Sequence, residues 1–339
     1  MRLVVRIGLL GVVLGATACG GGSAEPPAGP PQASKLPGRI AFTRNRSGWG
    51  EIWSMAATGG GLRRLTDPPP QGTDATGNRM ASWSPDGKRI AYVGSVDVQR
   101  ESDRTQEIFV MNADGSGKRR LTSNNVADFY PAWSPDGRRI VFARLVDAGA
   151  GGQEAAIVVT DADGKGERVV ARETSATDPV FLSTPAWSPD GEQIAFTRAV
   201  FTESALESAI YLVSPTGGTP RRLEDDAAAP AWSPDGEQIA FTSQRDHFGQ
   251  TCFQECSVSQ ELYVMSADGE DAERLTETQA DDSAPAWSPD GRWLVFVSDR
   301  ADTDRHAYQL YAIAREGGDA TRLTRDRDWT LEPDWGSAA

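Results

Sequence analysis

The pentapeptide WSPDG occurs five times, beginning at Trp83, Trp133, Trp187, Trp232 and Trp287, and a sixth tryptophan, Trp335, ends the series without the turn residues. Counted through Trp335 the intervals are 50, 54, 45, 55 and 48 residues. Self-similarity at such a period means one supersecondary unit, repeated because a single copy cannot bury its own apolar face. A serine beside an aspartate in every copy raises the question of a multiplied active site. The rest of the repeat answers it.

Three further elements recur in fixed order around each copy. The first reads RIAF at 39, RIAY at 89, RIVF at 139, QIAF at 193 and 238, and WLVF at 293. The second reads EIWSM at 51, EIFVM at 107, AIVVT at 156, AIYLV at 209, ELYVM at 261 and QLYAI at 309, and the third is of the RRLT type at 63, 119, 167, 221, 273 and 321. Each is short, rich in β-branched and aromatic residues and bounded by turn residues, so each reads as a strand. Helical spacing is nowhere sustained. With the PAW segment before SPDG, the unit has four strands, the pattern of a propeller blade. SPDG is a tight turn: proline presets φ, aspartate bonds locally to backbone, and glycine takes the positive φ that returns the chain.

The first unit begins at Gly38 and lacks a PAW strand, whereas LEPDW supplies one at the other end. The expectation is an all-β, six-bladed β-propeller of four-stranded blades whose N-terminal blade is completed by the C-terminal strand, leaving no open blade edge. The run PAWSPDGxxIAF, followed by ELYVMSADG and RLT, resembles the propeller repeat of the TolB family of the Tol-Pal envelope system over residues 38 to 335. That resemblance implies a non-enzymatic envelope protein that binds a protein or peptide, with peptidoglycan-associated lipoproteins as one partner class. TolB proteins carry a mixed α/β domain before the propeller, where this sequence has a short linker, so a TolB-like lipoprotein fits better than TolB itself.

Residues 1–18 read as a lipoprotein signal peptide. Arg2 and Arg6 precede the apolar run Ile7 to Ala18, and LGATAC resembles a lipobox ending at Cys19, the expected lipidation site. An ordinary secretory signal beside a cysteine is the alternative, and either exports the protein, to the periplasm or cell surface. Residues 19–37 are a flexible Gly- and Pro-rich tether, and 38–339 form the propeller. A formal charge of -14, from 34 basic and 48 acidic residues, opposes nucleic-acid binding. In an oxidising compartment Cys252 and Cys256, in CFQEC, are expected to form a disulfide, with free thiols or a metal as alternatives. A monomer is expected.

SPDG and ADG hairpins emerge on one face of the disc, and the loops of variable length on the other, where binding is expected. Candidates there are His247, and Arg300, Asp302, Asp304 and His306 of the loop SDRADTDRH at 298. Asn78, Asp128 and Asp282 each stand five residues before a blade tryptophan, where the chain enters the innermost strand near the channel mouth. Calcium or a cationic peptide held by such carboxylates is one reading, solvated loop carboxylates the other, and no cofactor is otherwise implied. There is no GxSxG, HExxH or phosphate-binding glycine loop. A propeller-linked hydrolase domain of the prolyl oligopeptidase type would need about 200 further residues. The alternatives kept open are a metal-dependent hydrolase, lactonase or lyase of six-bladed type, and a carbohydrate or small-ligand receptor using Phe201, Phe248 and Trp329.

Overall fold

The computed structural model describes residues 36–337, apart from 47–48, 69–76, 96–105, 150–151, 203–204, 248–258, 302–306 and 326–327. The chain opens with β1 (Arg39–Arg46), β2 (Trp49–Ala56) and β3 (Arg63–Arg64) of blade 1. Blade 2 is β4 (Asn78–Trp83), β5 (Arg89–Ser95), β6 (Gln106–Asn112) and β7 (Arg119–Arg120). Blade 3 is β8 (Ala127–Trp133), β9 (Arg139–Gly149), β10 (Gly152–Asp161) and β11 (Arg168–Ser175). Blade 4 is β12 (Val180–Trp187), β13 (Ile194–Phe201), β14 (Leu206–Val213) and β15 (Arg221–Asp225). Blade 5 is β16 (Ala227–Trp232), β17 (Gln238–Ser243), β18 (Glu261–Ser266) and β19 (Glu273–Arg274). Blade 6 is β20 (Asp282–Trp287), β21 (Trp293–Ser298), β22 (Gln309–Ala314) and β23 (Thr321–Arg322), after which β24 (Trp329–Gly336) pairs antiparallel with β1. Six four-stranded antiparallel sheets result, and the closure expected from the strand count is present, with Ile40 opposite Trp335.

Why the turn sequence repeats is visible in its bonds. In all five copies the serine Oγ donates to the aspartate Oδ1 at 2.5–2.6 Å, and that same oxygen accepts the N–H two residues further on. The glycines take φ between 66° and 75°, a region that costs other residues a Cβ clash. Ser134 and Asp136 are thereby consumed by backbone geometry. The serine bond, with the backbone N–H, holds the carboxyls of Asp86, Asp136, Asp190 and Asp235 below their ordinary range.

The core lies between blades. Phe42, Phe142, Phe196, Phe241 and Phe296, the aromatic ends of the RIAF segments, are among the largest fully buried side chains, each contributing about 1.5–3 kcal/mol of burial. Phe196, Phe241 and Phe296 lie 5.5–5.9 Å from a tyrosine of the next strand, Tyr211, Tyr263 and Tyr311, and Tyr92 faces Phe109 at 5.6 Å in the same way.

The outermost strands divide the blades into two kinds. In blades 1, 2, 5 and 6 that strand is two residues long. The threonine of the RLT segment replaces the missing ladder: Oγ1 of Thr66, Thr122, Thr276 and Thr324 accepts the N–H of Ile52, Ile108, Leu262 and Leu310 at 2.8–3.0 Å. In blades 2 and 5 a buried glutamate completes a clasp. Glu107 accepts from Thr122, Arg120 and the Asn124 N–H, and Glu261 from Thr276, Arg274 and the Thr278 N–H. In blades 3 and 4 the outer strand is eight and five residues long, and the register puts Ala156 and Ala209 where those glutamates stand.

Candidate functional site

The innermost strands carry a feature the repeat only half announces. The third residue before every blade tryptophan has a left-handed backbone: Met80, Tyr130, Thr184, Ala229, Ala284 and Glu332, with φ between 46° and 56°. The register with the second strand shifts at this point in each blade. This is a bulge that bends the strand at the axis. Conformations of this kind cost about 1–3 kcal/mol each and persist only where the surrounding packing enforces them. The signal in sequence was the proline that follows in five of the six copies, since proline inside a sheet marks an edge or a bulge.

The ring of left-handed residues forms the waist of the central channel. On the SPDG face lies a funnel of about 550 Å³, walled by the prolines and tryptophans of the PAW and SPDG segments. On the loop face lies a smaller chamber of about 150 Å³, off the axis toward blades 4 and 5, whose polar groups include Ser183, Thr197, Ser208, Thr242, Gln244 and Gln260. Tyr130, Thr184, Ala229, Ala284 and Glu332 line both.

The closing strand makes this channel asymmetric. Where the other blades have Ser82, Ala132, Ala186, Ala231 and Ala286, β24 has Asp334, and its waist residue is Glu332. Glu332 Oε2 accepts the Thr43 hydroxyl at 2.7 Å and the Met80 N–H at 2.9 Å. Burial pushes its carboxyl up, opposed by Arg79 and by those two bonds. Asp334 accepts the N–H of Trp83 at 2.6 Å. Burial raises it to about 6 against the pull of the Trp83 and Trp335 N–H groups, and no charged side chain enters the balance. Tyr130 is also pushed up, by burial first and by Glu332 next. Neither carboxylate was among the expected site residues, although LEPDW departs from PAW at just these two positions.

The expected cluster at the channel mouth takes a different form. Asp128 and Asp282 are fully buried, each ion-paired within its own blade. Asp128 lies opposite Arg144, which grips it through Nε and Nη2 at 2.7 and 3.0 Å, and Asn124 adds a bond at 3.0 Å. Asp282 takes Arg300 Nη2 at 2.6 Å. Asn78 instead reaches the Asp67 carbonyl at 3.4 Å. These three side chains stand in separate blades, and the carboxylates are neither solvated nor gathered around a shared cation. Cross-strand register sets Arg144 directly beside Asp128, whereas Asp282 lies opposite Ser298 and is reached by Arg300 from two residues beyond the second strand. Among the described residues no group of three or more His, Cys, Asp or Glu could hold a metal ion.

Arg300, expected as a loop cation, stacks 5.0 Å over both Phe296 and Tyr311 while it holds Asp282. Phe201 makes an edge-to-face contact with Phe181 at 5.5 Å and Trp329 with Tyr308 at 5.7 Å, and both are half-buried. His247 ends the 3-10 turn Arg245–His247. Its side chain, together with Cys19, Phe248, Cys252, Cys256, Asp302, Asp304 and His306, lies outside the described residues.

Residues 145–338, more than half of the sequence, match the TolB beta propeller domain. The chain belongs to the TolB β-propeller family. It is 33% identical over 164 residues to the Tol-Pal system protein TolB of Bordetella pertussis, covering 48% of this chain and 32% of that protein. It is 28% identical over 223 residues to the uncharacterized peptidase YuxL of Bacillus subtilis, covering 66% of this chain and 29% of that protein. The match spans 45% of an uncharacterized Agrobacterium fabrum protein, so under half the length of these curated relatives is represented. Among solved structures, TolB from Acinetobacter baumannii superposes with a TM-score of 0.63 at 20% identity, over 90% of this chain and 69% of that one. A putative TolB from Agrobacterium tumefaciens gives 0.57 at 21%, over 87% and 90%. These superpositions show the TolB propeller fold.

Proposed function

We propose that this chain is a non-enzymatic, exported and lipid-anchored propeller that docks a protein or peptide of the cell envelope on its loop face. One observation carries the reading. On the SPDG face the repeated polar groups are spent on their own turns, whereas the opposite face bears loops that differ from blade to blade around an uneven, hydroxyl-lined chamber. Variable loops on a rigid scaffold are the usual carriers of recognition. Similarity to the B. pertussis TolB, named for the Tol-Pal system, supports an envelope partner, with the peptidoglycan-associated lipoprotein class as the first to test.

Affinity capture from envelope extract with residues 38–339 as bait is expected to recover one reproducible protein, lost when the charges of the 298–306 loop are reversed. Capture that survives the reversal, or none at all, overturns the reading. Cys19→Ala is expected to move the protein from the membrane to the soluble fraction. A second reading, a propeller serving a hydrolase, draws support from the similarity to YuxL, and saturable hydrolysis of a peptide or lactone panel would favour it.

A further inference from the structure

The SPDG face, whose turns are bound up in their own geometry, surrounds a funnel with a charged floor. Four fully buried carboxylates are given cations: Glu107 has Arg120, Asp128 has Arg144, Glu261 has Arg274 and Asp282 has Arg300, while Asp281 is served by the Gln260 N–H and the Tyr308 hydroxyl. Asp334 has none. It receives only backbone N–H groups, at a position where four equivalent residues are alanine and one is serine. A desolvated carboxylate without a counter-ion is unfavourable, and a break in a repeat that carries such a cost points to function.

We propose that the funnel binds a primary ammonium on an aliphatic stem, the lysine side chain or terminal amine of a partner chain, with Asp334 and Glu332 as its counter-ions. The walls suit the stem: Pro85, Pro131, Pro185, Trp83 and Trp133 offer apolar surface leading to the floor, the arrangement that lets a lysine bury its methylenes. The floor suits a point charge. Glu332 Oε2 is already shared by Thr43 and Met80, and Asp334 by the Trp83 and Trp335 N–H groups, so neither presents the free bidentate edge that a guanidinium fork matches. A hard divalent cation would want about six oxygen ligands, and alanine, proline and tryptophan make up most of the remaining wall. This site adjoins the loop-face chamber through Glu332, which lines both, whereas Asp334 lines the funnel alone.

The test uses the mature protein and n-butylammonium as probe, with n-butanol and methylguanidinium for comparison, read by tryptophan emission because the blade tryptophans line the funnel. Saturable quenching by n-butylammonium alone is expected, weakened at least tenfold by Asp334→Asn and by Glu332→Gln. Asp334→Asn keeps the shape of the side chain, so one variant remains informative if the other fails to fold. Binding is expected to weaken as the pH is lowered from 7.5 to 5, as Asp334 takes up a proton near 6. Tyr130, pushed upward by burial, stays neutral over that range, and Arg79 is the other charged group facing Glu332. Equal response to n-butanol, no saturation, indifference to Asp334→Asn, or calcium that n-butylammonium does not displace would each overturn the proposal. Envelope capture unchanged in Asp334→Asn would leave the loop-face reading standing, and charge reversal of the 298–306 loop that abolishes capture but not ammonium binding would separate the two the other way.

Discussion

The aspartates of the SPDG turns and the carboxylates of the closing strand hold opposite positions in one repeat. Asp136 stands where every copy has an acid, is served by a serine hydroxyl and a backbone N–H, and is held below the usual carboxylate range. Asp334 stands where no other copy has an acid and is driven upward by burial. Repeated acids come with their partners encoded at fixed offsets. The acid that breaks the repeat has no such partner, and its cost falls on the fold. Conspicuous repetition therefore marks architecture here, and departure from it marks the place to look for chemistry.

The comparison predicts that a fully buried acid without its partners costs this fold stability. Ala156→Glu would place a carboxylate where blade 2 has Glu107, but in blade 3 the register sets Ala171 where Thr122 would stand. Destabilisation of about 4 kcal/mol is expected from that unpaired buried charge, measured by urea unfolding; a loss under 1 kcal/mol would break the comparison. The reverse change, Glu107→Ala, strips the clasp from blade 2. It leaves the Thr122 hydroxyl, the Arg120 guanidinium and the Asn124 N–H to find other partners. A loss of about 3 kcal/mol is expected, with faster amide exchange confined to β6 and β7.

Much of the fold was legible because its signals are local. Strands and turns follow from residues within a few positions of each other, and the strand count alone joined the strand ending at Trp335 to the blade begun at Gly38. The site was less legible, for a physical reason. Asp128 and Arg144 are 16 residues apart and become partners only through cross-strand register, so the spacing of Asn78, Asp128 and Asp282 before the tryptophans suggested a shared cluster, whereas the fold gives the two acids separate ion pairs and Asn78 a carbonyl bond. Glu332 and Asp334 were visible as departures in LEPDW. Their importance lay in the waist, which depends on a backbone conformation that the PAW proline hinted at without specifying.

A third prediction concerns the unpartnered acid itself. Its folded pKa, about 6, lies above the ordinary 3.8, so the folded state binds the proton more tightly than the unfolded chain does. The fold gains from protonation below pH 3.8 and loses that gain as the pH rises through 6. At neutral pH the ionised carboxylate is therefore a cost, on the order of 1–3 kcal/mol once channel water is allowed to screen it. Asp334→Asn should raise the unfolding midpoint at pH 7.5 and change it little at pH 4. A variant less stable than the parent at pH 7.5 would show that the anion is structural and would remove the case for a ligand.

The smallest effect belongs to the turn. Asp136→Ala removes one carboxylate that accepts from the buried Ser134 hydroxyl and from the exposed Arg138 N–H; Ser134 keeps the Arg139 carbonyl as an acceptor at 3.1 Å, so about 1 kcal/mol is expected. The sign with pH is opposite to that of Asp334. A carboxyl held below its ordinary range contributes stability that is present above pH 3.8 and fades as the pH falls through the lower folded value. Parent and Asp136→Ala should therefore differ at pH 7 and converge in strong acid, whereas parent and Asp334→Asn should converge already at pH 4. If both variants shift stability in the same direction at pH 7, the distinction between an acid served by its repeat and an acid left without partners fails, and with it the reason for placing a cation in the funnel.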